Sequence, residues 1–83
     1  MISVKAARDK TEQKRIELVK QHKNWIMKRA EIDVEAAIER GVSYAIVDAF
    51  DLHVEAIAEA LTELEGYGYE AFELHPGQIK ICW

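Results

Sequence analysis

Two apolar periods run along this chain, and the change between them falls at Gly41. From Met1 to Arg40 there is neither Pro nor Gly, and Ser3 is a good N-cap residue for a helix beginning at Val4. Gly41 stands where a helix-terminating glycine belongs, with Arg40 near the negative end of the dipole. The pattern predicts one long helix from Val4 to Arg40. Its weak point is the polar run Arg8–Arg15, where Asp9 with Glu12 three residues on is able to recap a second helix. At about 100° per residue, Ile16, Val19, Ile26, Met27, Ala30, Val34, Ala37 and Ile38 share one broad core-facing stripe.

Beyond Gly41 the period becomes two. Val42, Tyr44 and Ile46 alternate with Ser43, Ala45 and Val47, the pattern of a short half-buried strand. Asp51 is positioned to cap a second helix carrying Val54, Ile57, Leu61 and Leu64, with Ala56, Ala58 and Ala60 beside them and Gly66 closing it. Tyr69–Leu74 and Ile79–Trp83 flank His75-Pro76-Gly77-Gln78, which suits a type II turn. Direct pairing across that turn sets Leu74 against Ile79, Phe72 against Ile81 and, on the reverse face, Glu73 against Lys80. The order helix, strand, helix, strand, strand predicts an α+β two-layer domain: a long N-terminal helix, then a β-α-β-β unit closing a small three-stranded sheet.

The first helix bears a second stripe nearly opposite the first: Leu18, Trp25, Ile32 and Ala36, the first three spaced by seven. A helix with two apolar stripes exceeds what one small sheet covers, which points to coiled-coil-like packing on another copy or another protein. Chain length sharpens this expectation. Eighty-three residues make a single domain with a small core, and oligomerisation is a common remedy for a small core.

Charge changes the picture further. The net charge of −4 conceals a split: nine bases and three acids between Met1 and Arg29 give +6, while two bases and twelve acids from Ala30 onward give −10. Residues 1–40 thus form a helix with a basic N-terminal end, and residues 41–83 an acidic unit. Asp51, Glu55, Glu59 and Glu63 recur every four residues, and Glu31, Glu35 and Glu39 form a second row. Like charges at that spacing disfavour a helix by a few tenths of a kcal/mol each, which a basic surface of a neighbouring copy would offset; a solvated ridge that keeps the protein soluble is expected ahead of a cation site. The ridge is also a candidate partner surface, electrostatically similar to a nucleic-acid backbone.

Candidate chemistry is sparse. Arg15, Leu18, His22, Trp25 and Arg29 lie within about a quarter of the first helix's circumference. An indole with two guanidiniums and an imidazole suits a stacked base and its phosphates, and equally suits a Trp anchor with an Arg rim at a subunit interface. His22, His53 and His75 fall in three different elements without a paired ligand, so no metal or other cofactor is expected. Cys82 and His75 sit at opposite ends of the hairpin, too far apart for a thiolate–imidazole pair, and Gly66-Tyr67-Gly68 is no phosphate-cradling loop. Catalysis is not expected. The single cysteine suits a reducing compartment, and neither a signal peptide nor a membrane span is expected.

Four stretches stand out: the opening Ile2-Ser3-Val4-Lys5-Ala6-Ala7-Arg8-Asp9-Lys10-Thr11, Ala37-Ile38-Glu39-Arg40-Gly41 before the strand Tyr44–Val47, Leu64-Glu65-Gly66-Tyr67-Gly68-Tyr69, and the close Ile79-Lys80-Ile81-Cys82-Trp83. Together they resemble a family of small bacteriophage accessory proteins across nearly the whole chain. The chain departs from that pattern at His22, Trp25 and the doubled Gly66/Gly68. The resemblance implies a protein acting by binding in the cytoplasm of an infected bacterial host. Its targets would be a host defence protein or a small nucleotide immune signal. Nucleotide sequestration would use Arg15, His22, Trp25 and Arg29 between subunits; protein inhibition would use the acidic ridge. A DNA-binding accessory role for the basic helix end is the alternative, opposed by the −10 remainder of the chain.

Overall fold

The computed structural model describes all residues, Met1–Trp83. Its elements are α1 (Val4–Glu39), β1 (Tyr44–Asp48), α2 (Val54–Gly66), β2 (Glu70–His75) and β3 (Gln78–Cys82). The sheet is antiparallel in the order β1-β3-β2, so β1 and β2 run the same way on either side of β3 and α2 makes the crossover between them. Both helices cover one face of the sheet, α1 against β1 and α2 against β2. This is the α+β two-layer arrangement expected from the pattern.

The first helix runs unbroken through Arg8–Arg15, and Ser3 caps it by accepting from the Ala6 N–H. Asp9 therefore starts no second helix. At about 1.5 Å per residue α1 is roughly 54 Å long, which accounts for nearly all of the molecule's 57 Å long dimension. At the far end the Gly41 N–H donates to Ile38 and the Val42 N–H to Ala37, and Val42 folds back onto the core.

A five-residue strand spans only about 17 Å, so the core reaches only the C-terminal half of α1. Ile26, Ala30, Val34 and Ala37 are buried there with Met27 packed beside them, and Val19 is buried further back, beside the start of α2. Ile16 and Ile38, expected in the same stripe, are more than half exposed: Ile16 precedes the stretch the core reaches, and Ile38 turns to the open groove between the helix ends. From β1 it is Ala45 and Val47, with Ala49 just after, that enter the core, leaving Tyr44 and Ile46 outside. Ile26, Val47, Ile79 and Ile81 are fully enclosed at the centre, and no polar or charged residue is buried with them.

Three local expectations are corrected. Asp51 does not cap α2. It takes a left-handed backbone conformation (φ 64°) in the preceding turn, and His53 is the N-cap, its Nδ1 accepting from the Glu55 N–H. Starting the helix there turns Ala56, Ile57, Ala60 and Leu64 inward, and leaves Val54 and Ala58 in solvent. Gly66 is the last helical residue, and Gly68 makes the reversal that ends α2, with Tyr69 bonding back to Leu64.

The hairpin register also differs. His75 faces Gln78 across the turn, but Leu74 drops out of the ladder as a bulge, so Glu73 faces Ile79, Phe72 faces Lys80 and Ala71 faces Ile81. A type II turn carries a twist that does not match two paired strands, and one extra residue absorbs the mismatch. The shift by one turns the side chains of β2 ahead of the bulge to the opposite face. Ala71 enters the core, Phe72 and Leu74 go to the outer face, and the expected Glu73–Lys80 pair does not form. Glu73 instead accepts from the Gly77 N–H at 3.3 Å.

Gly77 is the tightest point of the turn. Its φ is +83°, and an added Cβ would lie 2.8 Å from Phe50 Cδ1 and 3.1 Å from Phe50 Cα. Gly77→Ala is therefore expected to destabilise the protein by roughly 1–3 kcal/mol. Gly66→Ala, with open space around it and no positive φ, is expected to be neutral or stabilising by up to about 1 kcal/mol. Urea midpoints of the two variants against the parent check both signs.

Candidate functional site

The residues singled out by the sequence lie along one side of the α1–α2 layer. The two helices advance in the same direction, since Arg15 meets Glu55 near one end of α2 and Lys23 meets Glu63 (3.1 Å) further along. The acidic ridge of α2 therefore faces the basic half of α1 within the same chain. Glu59 completes the row, sharing a shallow depression with Arg15, Lys20 and Lys23. The basic surface opposite the ridge belongs to this molecule and not, as expected, to a neighbouring copy, and two of the four ridge residues are held by it. Asp51 stands apart in the turn before α2.

Arg15 is the most engaged of the cations. It bonds Glu12 one turn back and Glu55 across the helix interface. The hydrogen bond to Glu12, then the charges of Glu12 and Glu55, hold the guanidinium even more firmly protonated than usual. The same hydrogen bond, reinforced by the Arg15 charge, lowers the Glu12 carboxyl below its ordinary range. What this pair contributes is present above the ordinary carboxylate range and fades as pH falls through the lowered one. Both groups are solvent-accessible, so salt screens it.

His22 and His53 form the other junction. The His53 N–H donates to His22 Nδ1 at 2.8 Å, and His53 Nδ1 accepts from the Glu55 N–H at 3.2 Å. Each acceptor nitrogen carries a lone pair and no proton, so the two rings together satisfy donors at the start of α2 and tie it to α1. Arg29 lies one turn from Asp33 and bonds it at 3.3 Å. Of the four residues read as a ligand platform, Arg15, His22 and Arg29 thus have partners within the chain. Trp25 is nearly half exposed (47%).

The second stripe of α1 is on the surface as expected. Trp25, Ile32 and Ala36 are exposed and Leu18 is half-buried. Two further apolar surfaces were not singled out from the sequence. The outer face of the sheet carries Tyr44, Ile46 and Phe72 around Lys80, whose amine lies 5.0 Å from the centre of the Tyr44 ring. An open groove of about 650 Å³ also runs between the C-terminal halves of the helices, lined by Met27, Val34, Ile38, Leu64, Tyr67 and Tyr69. The signal for the sheet face was present, because β1 is apolar at both sets of alternating positions.

No three His, Cys, Asp or Glu side chains converge as a metal site would require. Cys82 pairs with Tyr44 and Glu70, at the far end of the strands from His75. No helix is long and apolar enough to cross a membrane. Compared with known protein families, characterised proteins and solved structures, the chain matches none. The structure defines its class, a small α+β domain with one overlong helix.

The His22–His53 junction yields a direct expectation. His53→Ala removes the cap and should cost about 0.5–2 kcal/mol, whereas His53→Asn, an equally good cap, should retain most of the stability. His22→Ala leaves the His53 N–H without its partner and should cost roughly 1–3 kcal/mol. Chemical denaturation followed by circular dichroism measures all three.

Proposed function

We propose that the protein is a non-enzymatic homo-oligomer that acts by contact with another protein. The setting is the one its resemblance implies, a bacteriophage accessory factor countering a host defence in the infected cell. The observation that carries this reading is the stripe of exposed Trp25, Ile32 and Ala36 with half-buried Leu18, on a helix far longer than the body beneath it. Trp at the centre of an apolar strip with charged neighbours is the composition of an association surface.

Contact with protein is favoured over sequestration of a nucleotide by the state of the cations. Arg15 and Arg29 are held by carboxylates, and His22 already accepts a backbone hydrogen bond. A phosphate would have to displace those partners. The acidic ridge contributes less to a partner surface than its sequence suggests, because Glu55 and Glu63 already face Arg15 and Lys23.

DNA contact has one observation in its favour. Lys5, Arg8, Lys10 and Lys14 lie on the first third of α1, away from most of the acidic residues. A gel shift at low salt tests it, and an unshifted duplex removes it.

For the main reading, light scattering is expected to return a mass above the 9.5 kDa of one chain. Trp25→Glu is expected to bring the mass down to that of the monomer with its circular dichroism unchanged. A parent protein that stays monomeric at high concentration overturns the proposal. Calorimetry against cyclic and ADP-ribose-type nucleotides is expected to show no binding, and a clear isotherm would restore the sequestration mechanism.

A further inference from the structure

Two apolar surfaces have nothing packed on them, the outer face of the sheet and the outer stripe of α1. The sheet face has Lys80 at its centre, between Ile46 and Phe72, so two such faces meeting about a two-fold axis would bring like charges together. The stripe on α1 has the opposite property. Leu18 and Ile32 lie equally far from Trp25, seven residues to either side. A two-fold axis through Trp25, perpendicular to the helix, maps the stripe onto itself, as an isologous contact requires.

Charge then selects the direction. In an antiparallel pair each residue faces the one equally far from Trp25 on the other side. That lays Lys14 and Lys10 of one copy within one residue of the levels of Glu35 and Glu39 of the other, while Arg15 stays with Glu12 and Glu55 of its own chain. In a parallel pair Lys10 and Lys14 would meet themselves, and so would Glu35 and Glu39. Like charges set against one another across an interface are a strong discriminator. The same arrangement covers part of the projecting end of α1. Residues Thr11 to Glu39 of each helix would overlap, about 43 Å of contact at 1.5 Å per residue. A helix end standing alone in water is marginal, and a neighbouring helix supplies what the small body does not reach.

We propose that two copies of the chain pair through α1 in an antiparallel two-fold dimer, with Trp25 on the axis and Leu18 packed on Ile32 of the partner subunit. This rests on the self-association proposed above and specifies its geometry. The basic N-terminal half of each α1 lies along the acidic C-terminal end of the other.

Disulfide trapping in a Cys82→Ala background tests the arrangement. Trp25→Cys alone is expected to cross-link on mild oxidation. Leu18→Cys and Ile32→Cys are each expected to remain uncross-linked alone, because like positions would stand about 21 Å apart along the helix. Mixed with one another, with one partner carrying a mass tag, those two should give the mixed dimer. Self-linking of Leu18→Cys and of Ile32→Cys would overturn the antiparallel geometry while leaving self-association standing. A monomeric mass for the parent would overturn both.

A second readout needs no new cysteine. Lys14→Glu and Glu35→Lys should each weaken self-association roughly tenfold. Mixing the two should restore it, since in the heterodimer both crossings regain opposite charges. Failure of the mixture to recover, with both variants folded, also counts against the antiparallel register.

Discussion

The whole architecture depends on a mismatch of length between one helix and the sheet it packs on. Ile26, Ala30 and Ala37 on α1 meet Val47, Ile79 and Ile81 on the sheet, and this contact closes the only core the molecule has. Strands of five or six residues limit that contact to the C-terminal half of a 36-residue helix. All else stems from the uncovered remainder: the N-terminal end of α1 in solvent, a largely exposed outer stripe, and apolar residues such as Ile16 and Ile38 stranded at the margins. Small domains are short of buried area, and this one devotes much of its chain to a helix it covers only in part.

Charge is organised around the same helix. The split between +6 in the first third and −10 in the remainder looks, as a linear sequence, like a surface awaiting a partner. In the fold α2 lies alongside α1 with its ridge turned toward the bases, so Arg15–Glu55 and Lys23–Glu63 are intramolecular. Pairs at an accessible surface each contribute little. Their effect is to align two helices and to occupy cations that would otherwise be free for a ligand. The junction of His22 with His53 adds direction, because it fixes where α2 begins.

How far the sequence could be read varied with the range of the interaction concerned. The long helix was legible from the absence of Pro and Gly and from its caps, which are properties of neighbouring residues. The position of the hairpin was legible from Pro76-Gly77, but its register was not, since the bulge at Leu74 depends on reconciling turn twist with strand twist. A single residue of slip then exchanged Phe72 for Ala71 in the core. The cap of α2 failed for a related reason. Asp51 is the better intrinsic cap, yet His53 serves because His22, thirty-one residues earlier, accepts its N–H.

The sequence by itself determined the class of fold, the order and extent of its elements, and the two stripes of α1, because periodicity and capping are written in local spacing. The tertiary structure alone decided which charges are free. Arg15, His22 and Arg29 form a ligand platform when α1 is taken in isolation. Placing α2 beside it gives Arg15 and His22 their partners across the helix interface, while Arg29 meets Asp33 one turn along α1 itself. What a charged side chain can bind depends on what it already touches, and that is a property of the assembled helices.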